Sequence, residues 1–197
     1  MTEEVRAATS ADHAATAQTL ARAFHDDPMI CHLLRDEASR PQKMPRLFAL
    51  LLKLGQPLGG CDVTSGFEAA AIWRPPGHWH TPLWQYIVHL RDVHGIFGFR
   101  GFEVMQSMDI IEKVHPKAPH WYLQVIGTDP AAQGKGFGGR LMRRRLARID
   151  ETGAPSYLES SKEANIPIYQ SFGFRVTGEI RIKDGPTLYA MWREPRL

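Results

Sequence analysis

The chain has 197 residues, 43% of them hydrophobic and 23% charged, the make-up of ordinary globular material with one sizeable core. A formal net charge of +3 with a pI near 9.0 is too weak to demand a polyanionic partner, although it suits an anionic cofactor. The isolated Cys31 and Cys61 read as thiols of a reducing compartment, and the best apolar run, Leu47 to Leu54, is too short to span a bilayer and contains Lys53. The start, MTEEVRAATSAD, lacks the basic and apolar regions of a signal peptide, so a cytoplasmic chain without a membrane partner is expected.

In chain order, Glu4 to Ala8 reads as a short strand. Thr9 and Asp12 then form a capping-box pattern, opening a helix whose Ala17, Leu20, Ala21 and Phe24 share one face and which ends near Asp26-Asp27-Pro28. A second helix is expected from Pro45 to Leu54. Cys61 to Thr64 and Glu68 to Trp73 read as a hairpin about Ser65-Gly66, and Arg74-Pro75-Pro76-Gly77 breaks the pattern. The stretch 78–118 is irregular and aromatic-rich, with helical pieces expected at Leu83 to Val93 and Gly101 to Val114. His120 to Thr128 is a strand by its Trp, Tyr, Leu, Val and Ile content. A glycine loop follows, then a helix from Gly136 to Glu151 with Phe137, Leu141, Leu146 and Ile149 inward. Ser156 to Ser160 is a strand and Ile166 to Ser171 a short helix. Phe174 to Ile182 and Thr187 to Arg193 close the chain as a hairpin around Asp184-Gly185-Pro186. The order describes one mixed α/β sheet in a single domain, 1–197.

The glycine loop carries the functional question. Gly134, Gly136 and Gly139 satisfy G-x-G-x-x-G, and Glu159 stands about where a ribose-binding acid would follow in a dinucleotide-binding protein. Against that reading, Asp129-Pro130-Ala131-Ala132-Gln133 is too long for the tight turn after the strand, and too little chain remains beyond Glu159 for further crossovers. The phosphate loop of nucleotide hydrolases fails because no G-K-[S/T] follows. A purely structural Gly-rich turn remains open.

Gln133, Gly136 and Gly138, after a strand and Pro130, resemble the acyl-CoA motif Arg/Gln-x-x-Gly-x-Gly/Ala of the GNAT superfamily of N-acetyltransferases. The physics agrees with that resemblance, since a glycine loop running into a helix N-terminus presents successive N–H donors to a pyrophosphate. Downstream, Asn165 and the segment Ile166 to Phe174, with Tyr169 and Gly173-Phe174, resemble the family's later motif. Trp121-Tyr122-Leu123, Leu158-Glu159 and Gly185-Pro186 with Met191 resemble the branch that includes puromycin N-acetyltransferase. The likeness covers His120 to Arg193 well, Val5 to Pro28 loosely and the middle hardly at all.

The resemblance implies a mostly antiparallel central sheet flanked by helices, with 78–118 as a variable acceptor-side insert. It implies acetyl-CoA as co-substrate and no metal. It places the cofactor on Ile126, Gly127, Thr128, Gln133, Gly134, Lys135, Gly136, Phe137, Gly138, Gly139, Asn165 and Tyr169. In this pattern the backbone of Ile126 and Thr128 pairs with pantetheine as an added strand would. Tyr169 becomes the acid that protonates the departing thiolate, unless it is a half-buried core residue. Asn165 holds the pantetheine arm, caps a helix, or does both.

The attacking amine must lose a proton, and Glu159 leads as base, with His120 or water as alternatives; Glu159 could equally bind a cationic acceptor or a backbone amide. His78 and His80 share one side of an extended segment without the further ligands of a metal site. Most of the basic run Arg140, Arg143, Arg144, Arg145 and Arg148 is expected to be a solvated face, with one or two residues near the cofactor's phosphates, not a nucleic-acid patch. Trp73, Trp79, Trp84, Tyr86, Phe97, Phe99 and Phe102 divide between core and acceptor wall. The acceptor is expected to be a small molecule with a primary amine beside an apolar body, which Asp26, Asp27 and Glu159 could hold. The oligomeric state is left open, and a non-catalytic acyl-CoA sensor of the same fold is the rival function.

Overall fold

A computed structural model describes residues 5–196, apart from the side chains of Leu83 and Tyr86; Glu4, expected to begin the first strand, lies outside the described residues. The described strands are β1 (Val5–Ala7), β2 (Cys61–Thr64), β3 (Ala69–Arg74), β4 (Trp121–Thr128), β5 (Ser156–Ser160), β6 (Arg175–Arg181) and β7 (Thr187–Arg193). They form one sheet of seven strands in the order β1-β2-β3-β4-β5-β7-β6. Every ladder is antiparallel except β4 against β5. The helices are α1 (His13–Ala23), α2 (Pro28–Leu33), α3 (Arg40–Gly55), α4 (Leu83–Val88), α5 (Leu90–Phe97), α6 (Gly101–Val114), α7 (Phe137–Glu151) and α8 (Ile166–Ser171). This mostly antiparallel α/β sheet with helices on its faces is the expected fold class.

Strand alternation divides the core. On β3, Ala70 and Ile72 join Leu20, Phe48 and Leu52 of α1 and α3, while Ala69, Ala71 and Trp73 join Phe137, Leu141, Leu146 and Ile149 of α7. Alanine on both faces lets the helices approach closely. The inward residues of α7 recur at helical spacing, so one stripe is buried although the helix carries a run of arginines. Arg145 departs from the expected solvated face: it is buried and pairs with Asp62 at 2.7 Å. That pairing offsets only part of the loss of water, since burial still holds the Asp62 carboxyl above its ordinary range. The capping pattern at Thr9 is made, with Thr9 N–H donating to Asp12 at 2.7 Å.

The boundaries differ where capping was misread. The chain does not stay irregular after α1, because Asp27 Oδ1 accepts from Met29 N–H and Ile30 N–H at 3.0 Å each and starts α2. Helix α3 begins at Arg40 rather than Pro45, with Pro41 in the first turn and Pro45 inside. In the insert, the single piece expected from Leu83 to Val93 is two helices meeting at His89, the second extending to Phe97.

Candidate active site

The parallel β4–β5 ladder is short. Trp121 pairs with Ser156, Tyr122 with Tyr157 and Leu123 with Leu158, and beyond these β4 runs on to Thr128 and β5 to Ser160 without pairing to each other. β4 stays paired on its other side, through Thr128 opposite Ala69. The register slips one residue at Gln124, since Ile72 faces Val125 while Trp73 faces Leu123. A bulge of this kind bends the strand. Its side chain is held by the buried Arg74, whose Nε donates to Gln124 Oε1 at 3.0 Å. The result is a cleft with the β4 edge from Ile126 to Thr128 open toward β5.

Gly127 sits in this edge, but a Cβ there would come within 2.8 Å of Ala23 Cβ and 2.9 Å of Phe24 Cε2. Its lack of a side chain therefore serves the approach of α1, and only its backbone is available to a ligand. Asp129 then turns the chain, its Oδ1 accepting from Ala131 N–H at 3.0 Å and its Oδ2 from Arg22 Nε at 2.6 Å. Gln133, Gly134, Lys135 and Gly136 are exposed. Lys135 Nζ donates to Ala131 O at 3.3 Å and Gln133 Nε2 to Thr128 O at 3.4 Å.

Gly136, with φ 81°, precedes α7, which has no side-chain cap. The N–H groups of Phe137, Gly138 and Gly139 thus lack intrahelical acceptors, as the first turn of any helix must. Phe137 itself is buried in the core, and a Cβ on Gly138 would lie 3.2 Å from Thr128 Oγ1. Arg140 lies over the Phe137 ring at 5.0 Å, and the Arg143 guanidinium lies 3.3 Å from where a Cβ of Gly139 would be.

Helix α8 follows β5 in the chain. Asn165 occupies its N-cap position without a side-chain capping bond. Tyr169 is half-buried against the α7-side core, edge-on to Phe174 with ring centres 6.3 Å apart. Burial, and secondly the Asp27 carboxylate, push its phenol up to about 12, so it stays protonated at neutral pH. Asp26 and Asp27 both have partners within the chain. Asp26 pairs with Lys162 at 2.7 Å, and Asp27, besides capping α2, accepts from the Ser161 hydroxyl.

Glu159 lies on the opposite face from Tyr169. Leu158 belongs to the α7-side core, so its neighbours Tyr157 and Glu159 point the other way. The Glu159 side chain is 6% exposed, with Oε1 3.2 Å from His115 Nδ1. His115 Nε2 lies 3.0 Å from His120 Nε2, and His120 Nδ1 2.7 Å from Ala118 O. Burial first, then the Glu159 charge and a hydrogen bond to it, hold the phenols of Tyr122 and Tyr157 far above their ordinary range. Glu159 and His120, the two side chains weighed as base, are therefore joined through a residue that the sequence reading passed over. The signal was available in His115-Pro116-Lys117-Ala118-Pro119-His120, where two prolines favour an extended return.

The aromatics sort unevenly. Trp73 is core, Phe97 packs against the α1–α3 core, and Trp79 stacks on His115 with ring centres 4.1 Å apart. Trp84, Phe99 and Phe102 are 61%, 100% and 71% exposed, so they do not wall a closed pocket. His80 pairs with Glu112 at 3.3 Å, and His78 Nδ1 lies 3.1 Å from Pro76 O. Among the described residues no three His, Cys, Asp or Glu side chains are placed to hold a metal ion, and no helix is long and apolar enough to cross a membrane.

Residues 105–194 match the acetyltransferase (GNAT) domain family. An uncharacterised N-acetyltransferase of Schizosaccharomyces pombe is 28% identical over 175 residues, spanning 83% of this chain and 70% of that one. The crystal structure of histone acetyltransferase HPA2 and related acetyltransferase from Corynebacterium glutamicum superposes with a TM-score of 0.76 at 28% identity, over 100% of this chain and 98% of that one. The polyamine N-acetyltransferase of Drosophila melanogaster shares the fold at 16% identity, with a TM-score of 0.66 over 97% of this chain and 99% of its own. The parted strands, the glycine loop and these matches agree: residues 105–194 match the GNAT acetyltransferase domain, and the sheet is of the GNAT type.

Proposed function

We propose that this chain moves an acetyl group from acetyl-CoA to a primary amine of a small molecule, by direct attack of the amine on the thioester in a ternary complex. The observation that carries the proposal is the β4 edge left open from Ile126 to Thr128, followed after the Asp129 turn by the exposed Gln133–Gly136 loop and the uncapped start of α7. An extended pantetheine arm satisfies such an edge by pairing with the backbone of Ile126 and Thr128, with the Ile126 N–H available to polarise the thioester carbonyl. The pyrophosphate then meets N–H groups of the loop and of the first turn of α7, among them Phe137, Gly138 and Gly139, with Lys135, Arg140 and Arg143 nearby as cations. Asn165, at the start of α8 without a capping bond of its own, holds the arm.

Tyr169 supplies a hydrogen bond or proton to the leaving thiolate. A phenol near 12 is a weak acid, so donation of a hydrogen bond as the sulfur gains charge suits it better than full transfer beforehand. Glu159, reached from the other face of the sheet, takes the proton of the acceptor ammonium. The carboxylate's neighbours are aromatic, which favours an acceptor whose amine adjoins an apolar body. The likeness to the puromycin-modifying branch leads the same way.

The test is a thiol-release assay with acetyl-CoA against aminoglycosides, aminonucleosides, polyamines, amino acids and a lysine peptide. Release with at least one small amine is expected. Turnover of the peptide alone would overturn the small-molecule acceptor. Tight acetyl-CoA binding with no release from any amine would make the protein an acyl-CoA sensor.

A further inference from the structure

His115 lies just outside the strands, yet its side chain is only 2% exposed and every edge of its ring is occupied. Trp79 covers one face, and Tyr122 and Tyr157 stand edge-on with centres at 4.9 and 4.8 Å. Its two nitrogens meet Glu159 and His120. The proton inventory of this chain follows from what each partner can do. A carbonyl only accepts, so His120 Nδ1, at 2.7 Å from Ala118 O, carries a proton. Two imidazole nitrogens 3.0 Å apart need one proton between them. The contact of His115 with Glu159 needs another, whether it rests on the ring or on the carboxyl. Two neutral histidines and an ionised glutamate would hold one proton fewer than these contacts demand. The trio is therefore neutral overall, with its extra proton shared along a line from Glu159 to His120.

We propose that His115 is a positioning residue for proton transfer: together with His120 it holds one proton against Glu159 Oε1, and so orients and charges the carboxylate that receives the acceptor's proton. This rests on the reading of Glu159 as proton acceptor. In the step itself the ammonium of the acceptor loses one proton to the chain, the amine keeps the lone pair that attacks the thioester carbon, and the trio goes from neutral to singly positive. It returns to neutral when that proton leaves to solvent after acetyl transfer. The surroundings hold no competing base at the rings. From β4 and β5 the phenols of Tyr122 and Tyr157 face the group, both held protonated by burial and by Glu159. Arg74 acts on Tyr122, and Glu112 of α6 is engaged with His80 beside Trp79. Burial lowers the basicity of His120, and the hydrogen bond to Ala118 O and the Glu159 charge oppose that.

The experiment compares His115→Leu, His115→Asn and His120→Asn in the full chain, with an amine that the wild type acetylates. Asparagine at 115 keeps a donor where Nδ1 stood and loses the reach to His120. His115→Leu should lower kcat about tenfold or more with the KM for acetyl-CoA little changed, and should displace the ascending limb of the kcat–pH profile. His115→Asn should recover part of the rate. A merely structural role would lower thermal stability and leave the limb where it is, and that result overturns the proposal. Histidine-ring 15N spectra of the wild type and of Glu159→Gln give a readout that needs no turnover. Glu159→Gln should change the protonation of His115 Nδ1, and an unresponsive His115 would overturn the proposal even if a variant folds poorly. A wild type that releases no thiol with any amine would instead defeat the acetyl-transfer reading, and the spectra would still decide whether the three side chains share a proton.

Discussion

Replacing Gly136 by alanine separates the two things this glycine does. At φ 81° it occupies the left-handed region, where a side chain costs about 1–2 kcal/mol. A Cβ there meets nothing within 4 Å, so the folded chain itself opposes the methyl only through its backbone. Gly153, just past the other end of α7, is a matched control: φ is 66° and a Cβ again finds nothing within 4 Å. Both variants should lose about 1–2 kcal/mol, or roughly 2–8 °C of Tm for a chain of this size. Binding should part them. The open space beside Gly136 is where a pyrophosphate must come to reach the loop N–H groups, so the methyl should weaken acetyl-CoA at least about tenfold, or about 1.4 kcal/mol. Gly153→Ala should bind as the wild type does. Calorimetric titration with acetyl-CoA, alongside thermal melts, measures both effects. Equal affinity in the two variants would refute the placement of the cofactor on this loop, whatever their melting temperatures.

Tyr169→Phe should keep its acetyl-CoA affinity and its melting temperature, because the ring against Phe174 is retained, while turnover with a good acceptor falls about a hundredfold; steady-state thiol release checks this. Asp150 binds Arg193 through both oxygens at 2.7 Å and accepts from Arg196 N–H, so Arg193 first and Arg196 after it hold its carboxyl below the ordinary range. A depressed folded-state pKa contributes stability above the unfolded value near 4 that is lost as pH falls through the folded one, so Tm should drop on acidification below about pH 5. Asp150→Asn should melt lower at pH 7 and show a shallower acid slope in a series of circular-dichroism melts.

What was legible in the sequence follows from how local its causes are. The strands Cys61–Thr64 and Ser156–Ser160 and the helix Ile166–Ser171 were readable to the residue because β-branched and aromatic content, or a proline at a helix start, acts over a few positions. The glycine loop was readable because its spacing reflects the backbone itself. Helix α2 was missed because Asp26-Asp27-Pro28 reads as a stop, while the Asp27 carboxylate makes it a start. Arg145 was misassigned with its neighbours, since only the fold shows Asp62 beneath it. The Glu159–His115–His120 line joins residues 44 and 5 positions apart, and nothing local announces the longer contact. The exposed aromatics at 84, 99 and 102 failed as a pocket wall because composition cannot tell which side of a short helix meets the core.

In the proposed reaction, the short β4–β5 ladder lets one sheet bring Tyr169 as acid and Glu159 as base to a single place. Continuous pairing would seal the sheet and leave Tyr169, on the α7 side, separated by backbone from Glu159 on the other. Each half of the reaction needs its own environment. The thiolate leaves toward a phenol and a helix N-terminus, which favour negative charge, while the ammonium must give up a proton to a carboxylate, which its positive charge would otherwise hold as an ion pair. One open surface would let Glu159 lie beside the leaving sulfur and raise its cost. Parting the strands after Leu123 and Leu158 leaves a gap in the sheet, which is where the proposed transfer would draw on both faces. The bulge at Gln124, held by Arg74, bends β4 at the start of that parting, and the ties of Asp26 to Lys162 and Asp27 to Ser161 fix the end of β5 against the α1–α2 turn. If the proposed transfer holds, selectivity for the amine rests on the Glu159 face and acetyl-CoA binding on the α7 face, and substitutions on one face should leave the other's affinity unchanged.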